Sequence, residues 1–305
     1  MIQNSSGYIG IDWGSSSFRA YRFDENVLLV DTIESKTGLK HVNDNTFEAH
    51  LFSLIGQWVQ PHLTILLSGM ITSRNGWVET PYMCTPANPN NLLAHSVKQI
   101  IRGIPCYFLP GLSQTKPRCD VIRGEELQLF GATQYISNAL VVMPGTHSKW
   151  AQVINGEVIS FQTIVTGELF DVLLNQTLVG QLANKDKLHI KTFERGVRCG
   201  FESSTIITEL FQCRAGVLLE EITEDQVHSY LSGLLIGNEI SEGLRSTDNL
   251  QSTVVLVGSE ELCEKYQNAF KCLNIKTDQS PSNTTSSAFG QLFELQKNNR
   301  IPKTI

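Results

Sequence analysis

"IGIDWGSSSFRAYRFDENVLLVDTI" at residues 9–33 and "LVVMPGTHSKWAQVINGEVISFQTI" at residues 140–164 share one plan. Each begins as an apolar run, turns on glycine with Ser or Thr, and continues as two further strand-like runs round a short polar hairpin. In the first copy the strands are expected at 8–13, 17–23 and 26–33, with 24–26 as the hairpin connection. An internal echo of this size implies two similar α/β domains facing each other across a cleft. The boundary is expected near 136–139, giving domains at 1–136 and 137–305.

Working outward, apolar residues at helical spacing predict a helix at 46–58, behind Asn45 or Thr46 as cap, and then a buried strand at 63–69. "ITSRNGWVETPYMCTPANP" at 71–89 is polar, aromatic and proline-bearing, and loops of this length on a compact domain are usually functional. Helices are expected at 92–102 and 123–136, with a strand in "IPCYFLPG" between them. In the second copy the third strand is read over 157–170 and helices follow at 168–179, 202–214 and 225–244. A strand, Gly258 and a helix come next, and a helix near 284–297 closes the chain.

Bulk properties exclude several function classes. The chain has 305 residues, 41% of them hydrophobic and 18% charged, the composition of a globular protein. A formal net charge of −6 argues against a nucleic-acid partner, which asks for a basic face. Seven scattered cysteines, with no C-x-x-C spacing, predict reduced thiols rather than disulfides or zinc. No secretory signal is read in "MIQNSSG", and the apolar runs "LTILLSGMI" and "VVLVG" are too short to span a bilayer. A cytoplasmic protein without a membrane partner is expected, its oligomeric state open and a homo-oligomer included.

The two Gly/hydroxyl turns carry the chemistry. Gly14 with Ser15, Ser16 and Ser17, and Gly145 with Thr146 and Ser148, can aim backbone N–H groups and hydroxyls at one anion. Neither has the Walker pattern, and either alone is equally an ordinary hairpin. Together they make a phosphate clamp. An acid at the end of the first strand would repel phosphate unless a cation lay between, so Asp12 is expected to hold Mg²⁺, partly through water. Its alternative role is an Asx-type turn cap. Gly258 has the form that lets backbone pass under an adenine, or is simply a strand-to-helix turn.

These features resemble the actin, sugar kinase and Hsp70 superfamily of ATP-binding proteins, built from two ribonuclease H-like domains. More narrowly, "IDWGSSSFRAY", "SGMITSRNGWVETPY", "DVIRGEELQLFGA", "PGTHSKW" and "TGELF" resemble the 2-dehydro-3-deoxygalactonokinase family, in order and spacing, from residue 8 to about 170. The resemblance implies transfer of the ATP γ-phosphate to the 6-hydroxyl of 2-dehydro-3-deoxy-D-galactonate, in galactonate catabolism. A keto-sugar acid needs a cation for its carboxylate, and Arg74, with Asn75, Trp77 and Glu79 in the long loop, suits that need. Alternatively Arg74 is a surface residue beside a packing Trp. In one branch of related kinases an acid opening the helix before the second hairpin serves as base, which falls here on Glu125, then Glu126, with Asp12 third. Another branch uses an Asp inside that hairpin, where this chain has Ser148. His147 is expected to bind phosphate or fix the turn, Arg123 and Lys149 to supply positive charge, and Glu168 to be a cap or to support the metal. A kinase for another sugar and an actin-like ATPase switch are the rival readings.

Overall fold

The computed structural model describes residues 7–43, 46–184, 188–245 and 253–298. The chain divides into two units, one made of Met1–Ser137, Val153–Ser160 and Asn283–Ile305, the other of Asn138–Gln152 and Phe161–Ser282.

The first unit opens with β1 (Gly7–Trp13), β2 (Phe18–Phe23) and β3 (Leu29–Ser35), an antiparallel meander in which Asp12 lies opposite Arg19. Alternation sends Ile9, Ile11 and Trp13 to one face, where α1 (Phe47–Ile55) buries Phe47, Leu51 and Ile55 against them. Thr46 stands at the N-cap of α1, but its hydroxyl donates to the Asn43 carbonyl, and Asn45 lies outside the described residues. Wholly buried β4 (Leu63–Ser68) runs parallel to β1 and pairs Ser68 with Asp12. The unit continues through β5 (Met83–Cys84), α2 (Pro89–Ala94), β6 (Val97–Ile101), β7 (Ile104–Phe108), β8 (Leu112–Gln114), β9 (Asp120–Ile122) and α3 (Glu125–Ala132). Its main sheet has the order β3-β2-β1-β4-β7-β6, and β5, β8 and β9 form a small separate sheet.

The helix expected at 92–102 is corrected here. Asn88 caps α2, which ends at Ala94, and Val97–Ile101 is a strand hairpinned onto β7. Branched Val97, Ile100 and Ile101 favour the strand, and Arg102 and Gly103 turn it with φ of 52° and 79°.

The second unit repeats the plan with β10 (Asn138–Met143), β11 (Ser148–Ile154) and β12 (Glu157–Ile164). Then follow α4 (Thr166–Gln176), α5 (Ile190–Glu202), α6 (Ile206–Leu210), α7 (Gln212–Leu218), α8 (Val227–Arg245), β13 (Thr253–Leu256), α9 (Glu260–Cys272) and β14 (Thr277–Gln279). Its sheet order, β12-β11-β10-β13-β14, matches β3-β2-β1-β4-β7 strand for strand, with β13 parallel to β10 as β4 is to β1. This twofold mixed α/β repeat is the ribonuclease H-like, actin-like fold. Three expectations fail locally. The third strand ends at Ile164, since Thr166 already opens α4; α5 occupies 190–202, where no helix was expected; and the single helix expected at 202–214 is replaced by the short α6 and α7.

The last helix, α10 (Thr284–Lys297), belongs to the first unit, which corrects the expected domain 137–305. Phe289 lies so close over Gly10 of β1 that a Cβ there would meet its ring at 2.4 Å. Phe293 packs on Tyr8 and Phe23 at centroid distances of 4.8 and 5.4 Å. The tip of the β11–β12 hairpin also clusters with that unit, through an Ala87–Val158 bridge and a bond from Asn88 to Glu157.

Candidate active site

In an open sheet of this kind, ligand chemistry gathers at the carboxyl ends of the parallel strands. Asp12 stands at that end of β1, beside Ser68 of β4. Gly69 and Gly124 follow in left-handed conformations, φ of 92° and 104°, which glycine adopts without strain. They let the start of α3 close onto the strand ends. A Cβ on Gly124 would lie 3.4 Å from Gly69 Cα, and one on Gly69 would lie 2.8 Å from the Trp13 carbonyl and 3.1 Å from Asp12 Oδ1.

This docking brings together the three carboxylates expected to do acid–base and metal work. The Asp12 side chain is 18% exposed, with Arg19 Nη1 at 3.6 Å. Burial pushes its carboxyl up to about 6; the Arg19 charge opposes that rise and the Glu125 charge adds to it. Glu125, half-buried, accepts the Arg123 backbone N–H at 2.9 Å. Glu126 is fully buried, with Oε1 accepting from Ser68 Oγ at 2.8 Å and Oε2 from the Gly124 N–H at 2.6 Å. Burial raises its carboxyl to about 7, against the pull of those hydrogen bonds. With both oxygens engaged and no exposed surface, Glu126 braces the start of α3, while Glu125 keeps solvent access.

The turn at 14–17 is held from behind. Leu39 and Lys40 donate their N–H groups to the Gly14 and Ser15 carbonyls at 3.0 and 3.1 Å. Gly14 donates to the Ser17 carbonyl at 2.9 Å, and Ser16 is exposed while Ser15 and Ser17 are half-buried. In the long loop Trp77 packs edge-on against Phe108 at 5.6 Å, and Arg74, Asn75 and Glu79 are exposed. Arg123, expected to supply positive charge to phosphate or substrate, is instead committed to that loop. Its Nη1 donates to the Thr72 carbonyl, Thr72 Oγ1 and Thr80 Oγ1 at 2.7, 2.6 and 2.7 Å, and its Nη2 to the Thr80 carbonyl at 3.0 Å. The guanidinium also lies 4.3 Å from the Tyr82 ring centroid. Four hydrogen bonds and the ring contact tie this guanidinium to the loop, so Arg123 fixes the loop, while its buried Nε has no partner.

In the second unit, Thr146 and His147 are exposed in the turn between β10 and β11. That turn sits on the first turn of α4. A Cβ on Gly167 would lie 2.5 Å from the Gly145 carbonyl, Glu168 donates its N–H to the Thr146 carbonyl at 3.0 Å, and its carboxylate pairs with His147 Nε2. Glu168 thus partners a histidine. Ser148 is corrected as a ligand hydroxyl: it is fully buried, accepts from the Gly145 N–H at 3.4 Å and lies 3.3 Å from the Tyr266 hydroxyl. Lys149 is buried and donates to the His147 carbonyl at 2.9 Å. Beside this turn a cleft of about 80 Å³ is lined by Gly145, Gly167, Phe170, Leu235, Leu262 and Lys265, most of them absent from the sequence expectations. Its signal is split among three helices that only folding brings together. Gly258 is exposed before α9, and nothing lies within 3.7 Å of where its Cβ would be, so neighbouring atoms do not require glycine there.

No group of three or more His, Cys, Asp or Glu side chains gathers as a metal cage among the described residues. Mg²⁺ needs none, since it keeps several waters and takes one or two carboxylates plus phosphate oxygens. A single part-buried carboxylate at a strand end, Asp12, fits that demand. Among the described residues no helix is long and apolar enough to cross a membrane.

The family model described as 2-keto-3-deoxy-galactonokinase matches residues 12–290. A 2-dehydro-3-deoxygalactonokinase of Escherichia coli (strain K12) is 33% identical over 267 residues, covering 87% of this chain and 90% of its own. A Rhizobium meliloti (strain 1021) relative assigned the same activity is 35% identical over 281 residues, covering 88% of this chain and 91% of its own. A Sinorhizobium meliloti crystal structure, also assigned as a 2-dehydro-3-deoxygalactonokinase, superposes with a TM-score of 0.87 at 31% identity, covering 95% and 98% of the two chains. With the fold repeat, the carboxylates at the strand ends and these matches together, the chain belongs to the 2-keto-3-deoxy-galactonokinase family of sugar-acid kinases.

Proposed function

We propose that this protein transfers the γ-phosphoryl group of Mg²⁺–ATP to the 6-hydroxyl of 2-dehydro-3-deoxy-D-galactonate, a step of galactonate breakdown. The observation that carries the reading is the docking of α3 on the ends of β1 and β4, with Glu125 near enough to Asp12 to raise its carboxyl. Family membership supplies the donor and the acceptor class.

Asp12 would hold Mg²⁺, directly or through water, and the ion would supply neutralisation of phosphate charge. The 14–17 turn offers the hydroxyls of Ser15, Ser16 and Ser17 to the phosphates, and the turn at Gly145 offers the Thr146 hydroxyl and the His147 ring. Phe170, Leu235, Leu262 and Lys265 bind the nucleoside end. Arg74 receives the substrate carboxylate, with Asn75 and Glu79 for hydroxyls and Trp77 as the rigid base of the loop. Glu125 takes the proton of the 6-hydroxyl as its oxygen bonds to phosphorus and the bond to the β-phosphate oxygen breaks, releasing ADP. Positioning and charge stabilisation do most of the work in such transfers. The seven unpaired thiols suit a cytoplasmic setting.

Coupled ADP release tests the proposal, run with Mg²⁺–ATP, with and without the sugar acid, on wild type and Glu125→Gln. Expected is turnover that depends on the sugar acid and falls by roughly 10²–10⁴ in the variant, the usual worth of a general base. Wild-type enzyme that releases no ADP in response to the sugar acid overturns the assignment. Full turnover in Glu125→Gln overturns the base.

A further inference from the structure

Behind the 144–148 turn lies a buried carboxylate that the chemistry above does not use. Glu239, in the middle of α8, is 1% exposed. A carboxylate so buried persists only where donors surround it. Trp150 Nε1 donates to Oε1 at 2.9 Å and the Tyr266 hydroxyl donates to Oε2 at 2.6 Å. Burial raises the Glu239 carboxyl, and the hydroxyls of Thr166 and Ser148, with those two donors, pull it back toward the charged form. The donors come from β11, α4 and α9, so one side chain on α8 ties together three elements around the turn.

The direction of these bonds matters. The Tyr266 proton is given to Glu239, so the Ser148 proton points inward as well, to the Tyr266 oxygen or to Glu239 itself. The outward lone pair of Ser148 is then free to accept the Gly145 N–H, 3.4 Å away. Thr166, the other hydroxyl held by Glu239, opens α4, and the next residue, Gly167, is the one on which Gly145 rests. Both sides of the turn are therefore anchored to one buried carboxylate.

We propose that Glu239 is a positioning residue for the nucleotide: through Ser148, Tyr266 and Thr166 it sets the backbone at Gly145 and Thr146 against which the ATP phosphates bind. This rests on the reading of that turn as a phosphate site. A carboxamide at 239 reverses the chain. Its oxygen still accepts from Trp150, but its NH₂ must donate to the Tyr266 oxygen, the tyrosine proton turns to Ser148, and the serine proton loses its acceptor. Glu239→Gln thus keeps the volume of the side chain and changes the polarity at the turn.

The test compares wild type, Glu239→Gln and Tyr266→Phe, measuring Mg²⁺–ATP affinity by calorimetry, steady-state constants for both substrates, and Tm. Expected in both variants is an affinity for Mg²⁺–ATP weaker by about tenfold, the worth of a hydrogen bond to a charged group. KM for ATP should rise in step, with kcat and the KM for the sugar acid within about twofold of wild type. The double variant should be no worse than the weaker-binding single, because both break one chain. Unchanged nucleotide affinity in a folded Glu239→Gln overturns the proposal. So does a fall in kcat with a lowered Tm and unaltered KM values, the mark of a purely structural residue. If Glu239→Gln does not fold, Tyr266→Phe carries the same comparison. If wild type binds Mg²⁺–ATP but does not respond to the sugar acid, the substrate assignment fails while the affinities still decide the role of Glu239.

Discussion

Glu125 and Glu126 are adjacent in sequence but about 100° apart around α3, and that rotation gives them different environments. Glu125 turns toward Asp12 and solvent; Glu126 turns under the strand ends, where Ser68 and Gly124 take its oxygens. The burial of Glu126 has a thermodynamic consequence. Its carboxyl lies near 4.5 in an unfolded chain and at about 7 in the folded protein, so the folded state favours the protonated form. Its contribution to stability is complete below pH 4.5 and is lost as pH rises through about 7. Glu126→Gln keeps both hydrogen bonds, accepting from Gly124 and donating to Ser68, without a charge to desolvate. The variant is expected to match wild type in Tm at pH 4.5 and to exceed it by a few degrees at pH 8. Turnover dependent on the sugar acid should persist. A Tm difference independent of pH would refute this account of the buried carboxyl.

At the scale of elements, the closest packing in the second unit joins α5 to α8. The segments "GVRCG" and "GLLIG" set Gly196 and Gly200 against Gly233 and Gly237. A Cβ on Gly200 would lie 2.0 Å from the Leu234 carbonyl, one on Gly233 2.1 Å from that of Phe193, and one on Gly237 2.1 Å from that of Val197. Backbone meets backbone on both sides, so no side-chain rotation relieves an added methyl group. Gly200→Ala is expected to cost about 3 kcal/mol or more, at the upper end of overpacking effects, read as a lower Tm. Gly56 is the contrast. It has helical angles with nothing within 4 Å of its Cβ position, so Gly56→Ala is expected to be neutral or to stabilise by up to about 1 kcal/mol. The α5–α8 contact holds the helix that carries Glu239.

For the whole molecule, the path of the chain makes the first unit depend on the last helix. α10 returns after the entire second unit to cover Gly10, Tyr8 and Phe23. On its other side Gly131 of α3 meets the Thr284 carbonyl so closely that no Cβ fits between them. Removing residues 283–305 would expose one face of the main sheet and loosen the helix that presents Glu125. The truncated chain is expected to lose cooperative unfolding of the first unit and all turnover, measured by calorimetry and ADP release. A truncated chain with an intact first transition would show that α10 is dispensable.

The repeat and the turns follow from local signals in the chain. Alternating apolar residues, a Gly/hydroxyl turn and a polar hairpin are local signals, and they recur in both halves, so the two meanders and the strand–Gly258–helix were legible without a structure. Asp12, at the end of the first of these strands, was legible for the same reason. Tertiary structure decided what sequence distance conceals. Val97–Ile101 became a strand because β7 offered an edge, and α5 became a helix, despite two glycines, because α8 gave those glycines a backbone to meet. Arg123 and Ser148 looked like ligand contacts in the chain, yet Thr72, Thr80 and Tyr266, remote in sequence, claimed their polar atoms. Glu239 had no local signal at all. Its role comes from the Trp150 and Tyr266 donors and the nearby Thr166 and Ser148 hydroxyls, on three other elements, a relation that exists only once the chain has folded.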